Sequence, residues 1–262
     1  MNTRLTSAVL LLAGSLLFGA CNNEGEGEDP KDTSKNGGLG PAAMSIPASD
    51  NALTEAEQKE GWQLLFDGKT LNGWRMYQSK PADCWGVQDG AIFCKGSTTD
   101  KSDLRADLIT TDQFENFELS IDWKIAAHGN SGIMYHVSEK YPAAYLSGPE
   151  YQLIDDDNFP EKLEEWQKTA ADYAMYTTSS RPVKPVGEFN TTRIVVNGAH
   201  REHWLNGVKV LEFEAWGDDW KKRKSEGKWK DTPEYGMEKT GNICLQDHGS
   251  GVWFKNIKIK KI

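Results

Sequence analysis

Along most of the chain, apolar and polar side chains alternate with a period of two, the spacing of strands whose two faces meet different surroundings. The cleanest run is FELSIDWKI, where Phe117, Leu119, Ile121 and Trp123 share a face. Two more alternating segments, NSGIMYHV and PEYQLID, flank a loop rich in Tyr, Ala, Ser, Gly and Pro. Strand geometry puts Asn130, Gly132, Met134 and His136 on one face of the first. In the second it puts Glu150 and Gln152 on one face, opposite Tyr151 and Leu153. Amides, a carboxylate and an imidazole on neighbouring strands make a polar floor, which predicts a cleft above it.

Turn residues cut the pattern into short pieces. Asn197-Gly198 and Asn206-Gly207 predict tight hairpins, and Asp89-Gly90 predicts another inside CWGVQDGAIFC. Two last strands flank His248-Gly249-Ser250-Gly251. Helical signals are few. Thr54, with Glu57 three residues on, caps a short helix within residues 52–61. Glu161 to Ala171 is mildly helical, and the charged insertion from Asp218 to Lys230 is predicted to be helical and solvated. Many short strands at regular spacing mean an all-β sandwich or barrel rather than an α/β fold. Trp62 and Trp74 are expected in its core.

The first residues break this pattern. Residues 1–20 carry one charge, Arg4, and an apolar run from Ala8 to Phe18. The run is shorter than the ~20 residues of a spanning helix and fits a secretory signal. Gly19 and Ala20 before Cys21 resemble a bacterial lipoprotein cleavage site, so Cys21 is expected to carry lipid and to tie the protein to a membrane. Residues 21–55 are acidic, Gly-rich and free of aromatic rings, the composition of a disordered tether. The acidic run after Cys21 resembles the export signal of surface lipoproteins in Bacteroidetes, which points to the cell envelope. Residues 56–262, roughly 205 in all, suffice for one domain with a substantial core.

A net charge of −9 argues against nucleic acid and anionic lipid as partners. Ten Trp and eight Tyr suit a β-protein with rings to spare for stacking on sugars. Cys84 and Cys94 bracket the Asp89-Gly90 hairpin, where a disulfide fits an extracytoplasmic setting. Cys244 is left as a buried thiol, and no cysteines have zinc-site spacing. A phosphate loop, a helical HExxH and a GxSxG elbow are all missing from the sequence, which sets aside nucleotide hydrolases, zincins and serine esterases.

GWQLLFDGKTLNGW, NSGIMYHV, GPEYQLID, KPVGEFNTTRIVVNG, HWLNGVKV and GNICLQDHGSGVWFKNIKIK follow one another from Gly61 to Lys260. In that order they resemble the 3-keto-disaccharide hydrolase domain family. The resemblance implies a concanavalin-type jelly roll of two antiparallel sheets, one concave toward a sugar. It also implies cleavage of glycosides whose C3 hydroxyl has been oxidised to a ketone. At AADYAMYTT the chain departs from the family's usual Gly-x-Leu-Tyr, so the loop bordering the site is expected to differ.

That substrate class sets the chemistry the residues must supply. A C3 ketone makes the C2 hydrogen acidic and lets the C1 aglycone leave by elimination, after which water adds back. The enzyme needs a base for C2, donors or a metal for the enolate, and an acid for the leaving group. Glu150 is the first candidate for base or metal ligand, since a dry cleft raises its proton affinity. His136 and His203 are the next catalytic candidates. Asn130, Gln152, Gln246 and His248 are expected to bind substrate, Gln246 and His248 from one face with Asp247 opposite. Histidines 128, 136, 203 and 248 admit a divalent ion without requiring one. Asp155 reads as a loop residue that accepts hydrogen bonds, and Asp156 and Asp157 as an acidic turn. Two other uses fit the same residues: a sugar-binding module without chemistry, and a conventional glycosidase.

Overall fold

The computed structural model describes residues 49–97 and 103–262. Cys21, the expected signal and most of the expected tether lie outside them. Residues at the tether's end are held against the domain: Asn51 donates its backbone N–H to Asn256 (2.6 Å) and its amide to the Gly90 carbonyl (2.8 Å). The predicted first helix is α1 (Glu55–Lys59), closed by the reciprocal Thr54–Glu57 capping box.

The described residues contain thirteen strands. In chain order they are β1 (Gln63–Leu64), β2 (Trp74–Met76), β3 (Trp85–Gln88), β4 (Ala91–Cys94), β5 (Leu108–Thr110) and β6 (Phe117–Ile125). Then come β7 (Asn130–Val137), β8 (Glu150–Ile154), β9 (Asn190–Asn197), β10 (His200–Leu205), β11 (Val208–Glu214), β12 (Asn242–Leu245) and β13 (Val252–Lys261). They form two antiparallel sheets, a jelly-roll sandwich. The larger runs β11-β10-β9-β6-β13-β4-β3, with β1 paired to β13, and the smaller runs β2-β5-β12-β7-β8.

The two sheets treat their outer faces differently. In β6 the alternation is complete: Phe117, Leu119, Ile121 and Trp123 are buried between the sheets. The other face of the larger sheet is polar, with Glu118 pairing to Arg193 and Lys260 across three strands. The smaller sheet is buried on both faces. Its inner face adds Ile133, Tyr135, Tyr151, Leu153, Ile243 and Leu245 to the core. Its outer face packs Met134, Val137 and Cys244 against Ala144 of the loop between β7 and β8. A second cover is the segment from Gly227 to Gly236, which follows helix α2 (Asp218–Glu226). The two covers meet where Gly236 donates to the Ser147 carbonyl at 2.8 Å.

Three expectations change here. The insertion is helical only as far as Glu226, and it is not wholly solvated: Trp220, Trp229 and Tyr235 are buried with Met175, Leu211 and Phe213 in a second cluster. Glu161 to Ala171 keeps a single 3-10 turn, Glu165–Gln167. Its end is drawn alongside β8, where Gln152 and Ala170–Ala171 exchange backbone hydrogen bonds, and those pairings outweigh its modest helical preference. Trp74 is buried, but Trp62 is half-buried under the Lys260 ammonium, at the edge rather than in the core.

Candidate active site

The gap between the two covers is a cavity of about 280 Å³ on the outer face of the smaller sheet. Its floor comes from β7, β8 and the residues after β12. Register sets Gly132 opposite Gln152 and Met134 opposite Glu150, and Gln246 donates its backbone N–H to the Gly132 carbonyl at 2.9 Å. Asn130, Glu150, Gln152, Gln246 and His248 all line the cavity. Asp107, Asp247, Tyr145, Tyr173, Lys228 and Trp229 complete most of its wall.

Gly132 explains how the floor works. A Cβ there would lie 2.2 Å from Oε1 of Glu150, so the carboxyl lies across the space that the missing side chain leaves. Glu150 is 5% exposed and its carboxyl accepts no hydrogen bond from the described residues. Burial pushes its pKa up to about 8; Lys228 works against the rise, while Asp107 and Asp172 add to it. Asp107 is raised less, to about 6, again by burial; the N–H of Asp247 donates to it at 2.9 Å and limits the rise. The third carboxylate, Asp247, is engaged: Arg105 Nε donates to it at 2.9 Å, and the Cys84 and Cys94 thiols do so at 3.6 Å each. Cys84 and Cys94 are therefore close together, as free thiols, and Cys244 is a buried thiol. Asn130 Oδ1 and Gln246 Oε1 are buried without a hydrogen-bond partner among the described residues. Two acceptors of that kind at a cavity wall suit hydroxyl donors.

The cation of the site was not anticipated. Lys228 stands over the Tyr173 ring, 4.2 Å from Nζ to centroid, and over Trp229 at 4.9 Å. Trp229 is fixed in turn by stacking on Tyr235, with centroids 4.0 Å apart and planes 8° from parallel. The available signal was two tryptophans, 220 and 229, in an otherwise charged run. Asp107 had no signal, because nothing local marks its distance from Glu150.

Two predicted catalytic residues are not in the cavity. His136 has a left-handed backbone (φ 53°), because β7 takes three steps, Met134 to Val137, where β12 takes two, Asn242 to Cys244. The bulge breaks the face count: Nε2 of His136 hydrogen-bonds the Glu115 carbonyl at 2.8 Å, and the ring lies edge-on to Phe117. His203 is fully buried on the inner face of the larger sheet; Nδ1 donates to the Ala170 carbonyl at 2.9 Å. Burial lowers both imidazoles to about 4, so they are neutral core groups. His128 binds the Asn158 carbonyl at another turn, so the four histidines do not converge on one ion. Among the described residues, donor atoms that could share a cation come together only at Cys84, Cys94 and Asp247, beside Arg105, and at His200, Glu202 and Glu212, beside Lys209.

A second cavity, about 240 Å³, lies beside Trp123 and the turn Asp155–Asn158. Asp155 there accepts the N–H groups of His128 and Asn158, and Asp156 accepts that of Thr169 through one of its oxygens. The first cavity joins the unpartnered Glu150 carboxyl, two orphan amide oxygens and the Lys228 cation.

A jelly roll with such a pocket can bind sugar or cleave it, and the relatives of this chain place it among the glycoside hydrolases. The chain belongs to the family described as the 3-keto-alpha-glucoside-1,2-lyase-like domain, which it matches over residues 61–260. It is 32% identical, over 95% of both chains, to a protein of Bacteroides thetaiotaomicron named 3-keto-disaccharide hydrolase. Two solved structures from Parabacteroides distasonis, both described as glycosyl hydrolases, are also similar. One is 47% identical, covers 82% of this chain and 100% of its own, and superposes with a TM-score of 0.76. The other is 28% identical, covers 77% and 99%, and has a TM-score of 0.57.

Proposed function

We propose that this enzyme cleaves 3-keto-glycosides by elimination and rehydration, with net hydrolysis. The observation that carries the reading is Lys228 in a pocket with two carboxyls of unequal proton affinity. A conventional glycosidase also uses two carboxyls, but its transition state resembles an oxocarbenium ion. A fixed ammonium beside that positive charge is unfavourable. Beside an enolate it is favourable, and an enolate is what loss of the C2 proton from a 3-keto sugar creates.

The order of the two carboxyls assigns the steps. At neutral pH Asp107 is mostly ionised and Glu150 mostly protonated. Asp107 therefore takes the C2 proton, and the C–H electrons move into the C2–C3 bond as the ketone becomes an enolate facing Lys228. Collapse of the enolate expels the C1 oxygen, which Glu150 protonates. This reverses the role that the sequence assigned to Glu150, because burial holds its proton on. Water then adds to C1 of the enone, giving one proton to Glu150, while Asp107, whose proton has exchanged with solvent once the aglycone has left, protonates C2. Bonds and charges balance, and the enzyme is regenerated. Asn130 and Gln246 accept hydroxyl protons of the bound ring.

The test is NMR of a 3-keto-glucoside with the purified domain in deuterated water. Aglycone release with deuterium at C2 of the product is expected. Release with C2 fully protonated overturns the elimination, and broadened ligand signals without release favour a sugar-binding module. Lipidation at Cys21 is a further part of the proposal; it holds the pocket at the cell envelope, and Cys21→Ser is expected to move the protein into the soluble fraction.

A further inference from the structure

We propose that Tyr145 is the stacking platform for the departing sugar, and so a residue that selects carbohydrate leaving groups. The inference rests on the elimination reading and adds the residue that holds the departing ring.

At about 280 Å³ the cavity is slightly below the roughly 300–1,000 Å³ of sites that enclose drug-sized ligands. It suits one pyranose ring, the one that reacts. The second ring of a disaccharide must then lie at the mouth. Three aromatic rings border the cavity. Trp229 is already stacked on Tyr235, and Tyr173 packs edge-on to Trp166 beneath the Lys228 ammonium. Tyr145 is different: it is 46% exposed, and neither its ring nor its hydroxyl has a partner among the described residues.

Large apolar side chains elsewhere on the surface, such as Val87 and Val208, are scattered aliphatic residues of the kind any soluble protein shows. Tyr145 is the aromatic one among those exposed in the described residues, and it stands at the mouth of the site.

Its base is rigid. Tyr145 sits in the 3-10 turn Ala144–Leu146, and Ala144 is fully buried against Met134, Val137 and Cys244. Gly148 closes the turn with a 3.1 Å bond to the Ala144 carbonyl, and the Ser147 hydroxyl accepts the Ser138 N–H at 3.0 Å. A ring held out on a fixed turn loses little freedom when it stacks, and the apolar face of a pyranose is a suitable partner for it. The leaving group this surface fits is a sugar, not a small alcohol.

The experiment compares a 3-keto-disaccharide with methyl 3-keto-glucoside, using wild type, Tyr145→Ala and Tyr145→Phe. For Tyr145→Ala, KM for the disaccharide is expected to rise roughly three- to tenfold with kcat retained. KM for the methyl glycoside, which has no second ring, should hold. Tyr145→Phe should restore disaccharide binding, since stacking needs the ring and not the hydroxyl. An equal KM change for both substrates, or none for the disaccharide, overturns the platform while leaving the elimination in place. If wild-type protein turns over neither substrate, the elimination reading falls and the platform falls with it.

Discussion

Gly132 shows how much a single position decides in this site. The carboxyl of Glu150 lies where a Cβ at 132 would be, so the glycine is a condition for the acid's placement. Gly132→Ala is expected to keep the backbone fold, because Cγ, Cδ and Oε1, lying 2.2–2.8 Å from the added Cβ, all belong to one side chain, that of Glu150, which must swing aside. Its kcat should fall at least about tenfold, the effect of a catalytic group moved from its position. Thermal melting beside steady-state kinetics would reveal the opposite result, lost stability with intact turnover. The two carboxyls also predict the pH dependence. On the proposed mechanism activity needs Asp107 ionised, so it should be lost as pH falls through about 6, and it needs Glu150 protonated, so it should be lost as pH rises through about 8. The profile of kcat/KM should be a bell whose limbs belong to the coupled pair. A glycoside with an activated leaving group separates the roles: Glu150→Gln should retain turnover of it, whereas Asp107→Asn should not.

The element that most changes the picture is the segment from Gly227 to Gly236. It presents Lys228 to the cavity and holds it through Trp229 and Tyr235, which join Trp220 in the second apolar cluster. Lys228→Ala is expected to lower kcat by about 10²–10³, the cost of removing one group that stabilises developing negative charge, with a smaller change in KM. An equal loss for an ordinary, non-oxidised glycoside would argue against a role specific to an enolate. Trp229→Ala is a different experiment, since it removes a 3% exposed ring from the cluster. It should cost about 3–5 kcal/mol in denaturant unfolding and lose activity as the wall collapses.

At the scale of the whole molecule, the smaller sheet carries the site because both of its faces are covered. Burial is what raises Glu150 and Asp107 and lowers His136 and His203, so site chemistry and stability are linked through pH. The histidines bind fewer protons folded than unfolded, and their contribution to stability is lost as pH falls from 6.5 toward 4. The raised carboxyls bind more protons folded, so their contribution is lost as pH rises, for Glu150 from 4.5 to about 8. Below 6.5 the two effects oppose each other. Between 6.5 and 8 the carboxyls dominate and stability should decline. Melting temperatures across that range should show the decline, and Glu150→Gln should lessen it while the buried Asp172, also raised to about 8, keeps the remainder; an unchanged slope would mean that Glu150 is not held protonated in the fold.

Local rules acted where neighbours in the chain decide the outcome. The alternation of β6, the Thr54–Glu57 cap and the glycine turns at Asp89-Gly90 and Asn206-Gly207 were legible, because each depends on residues a few positions apart. The floor of the site was legible for the same reason: Asn130, Glu150 and Gln152 lie on strands whose faces can be counted, and Gln246 directly follows one. The counting failed at His136, where one extra residue in β7 turns the side chain away, and a bulge is set by the partner strand. It failed at His203, whose strand could be read but not which of its faces meets the core. Lys228, Asp107 and Tyr145 lie 38–121 positions apart in the sequence and meet only because the covers fold onto one sheet. The sequence by itself determined the strands, their turns and the polar floor, since those follow from side-chain period and backbone preference. Tertiary structure alone decided which carboxyl keeps its proton and which cation faces it, since both depend on burial and distance between remote parts of the chain.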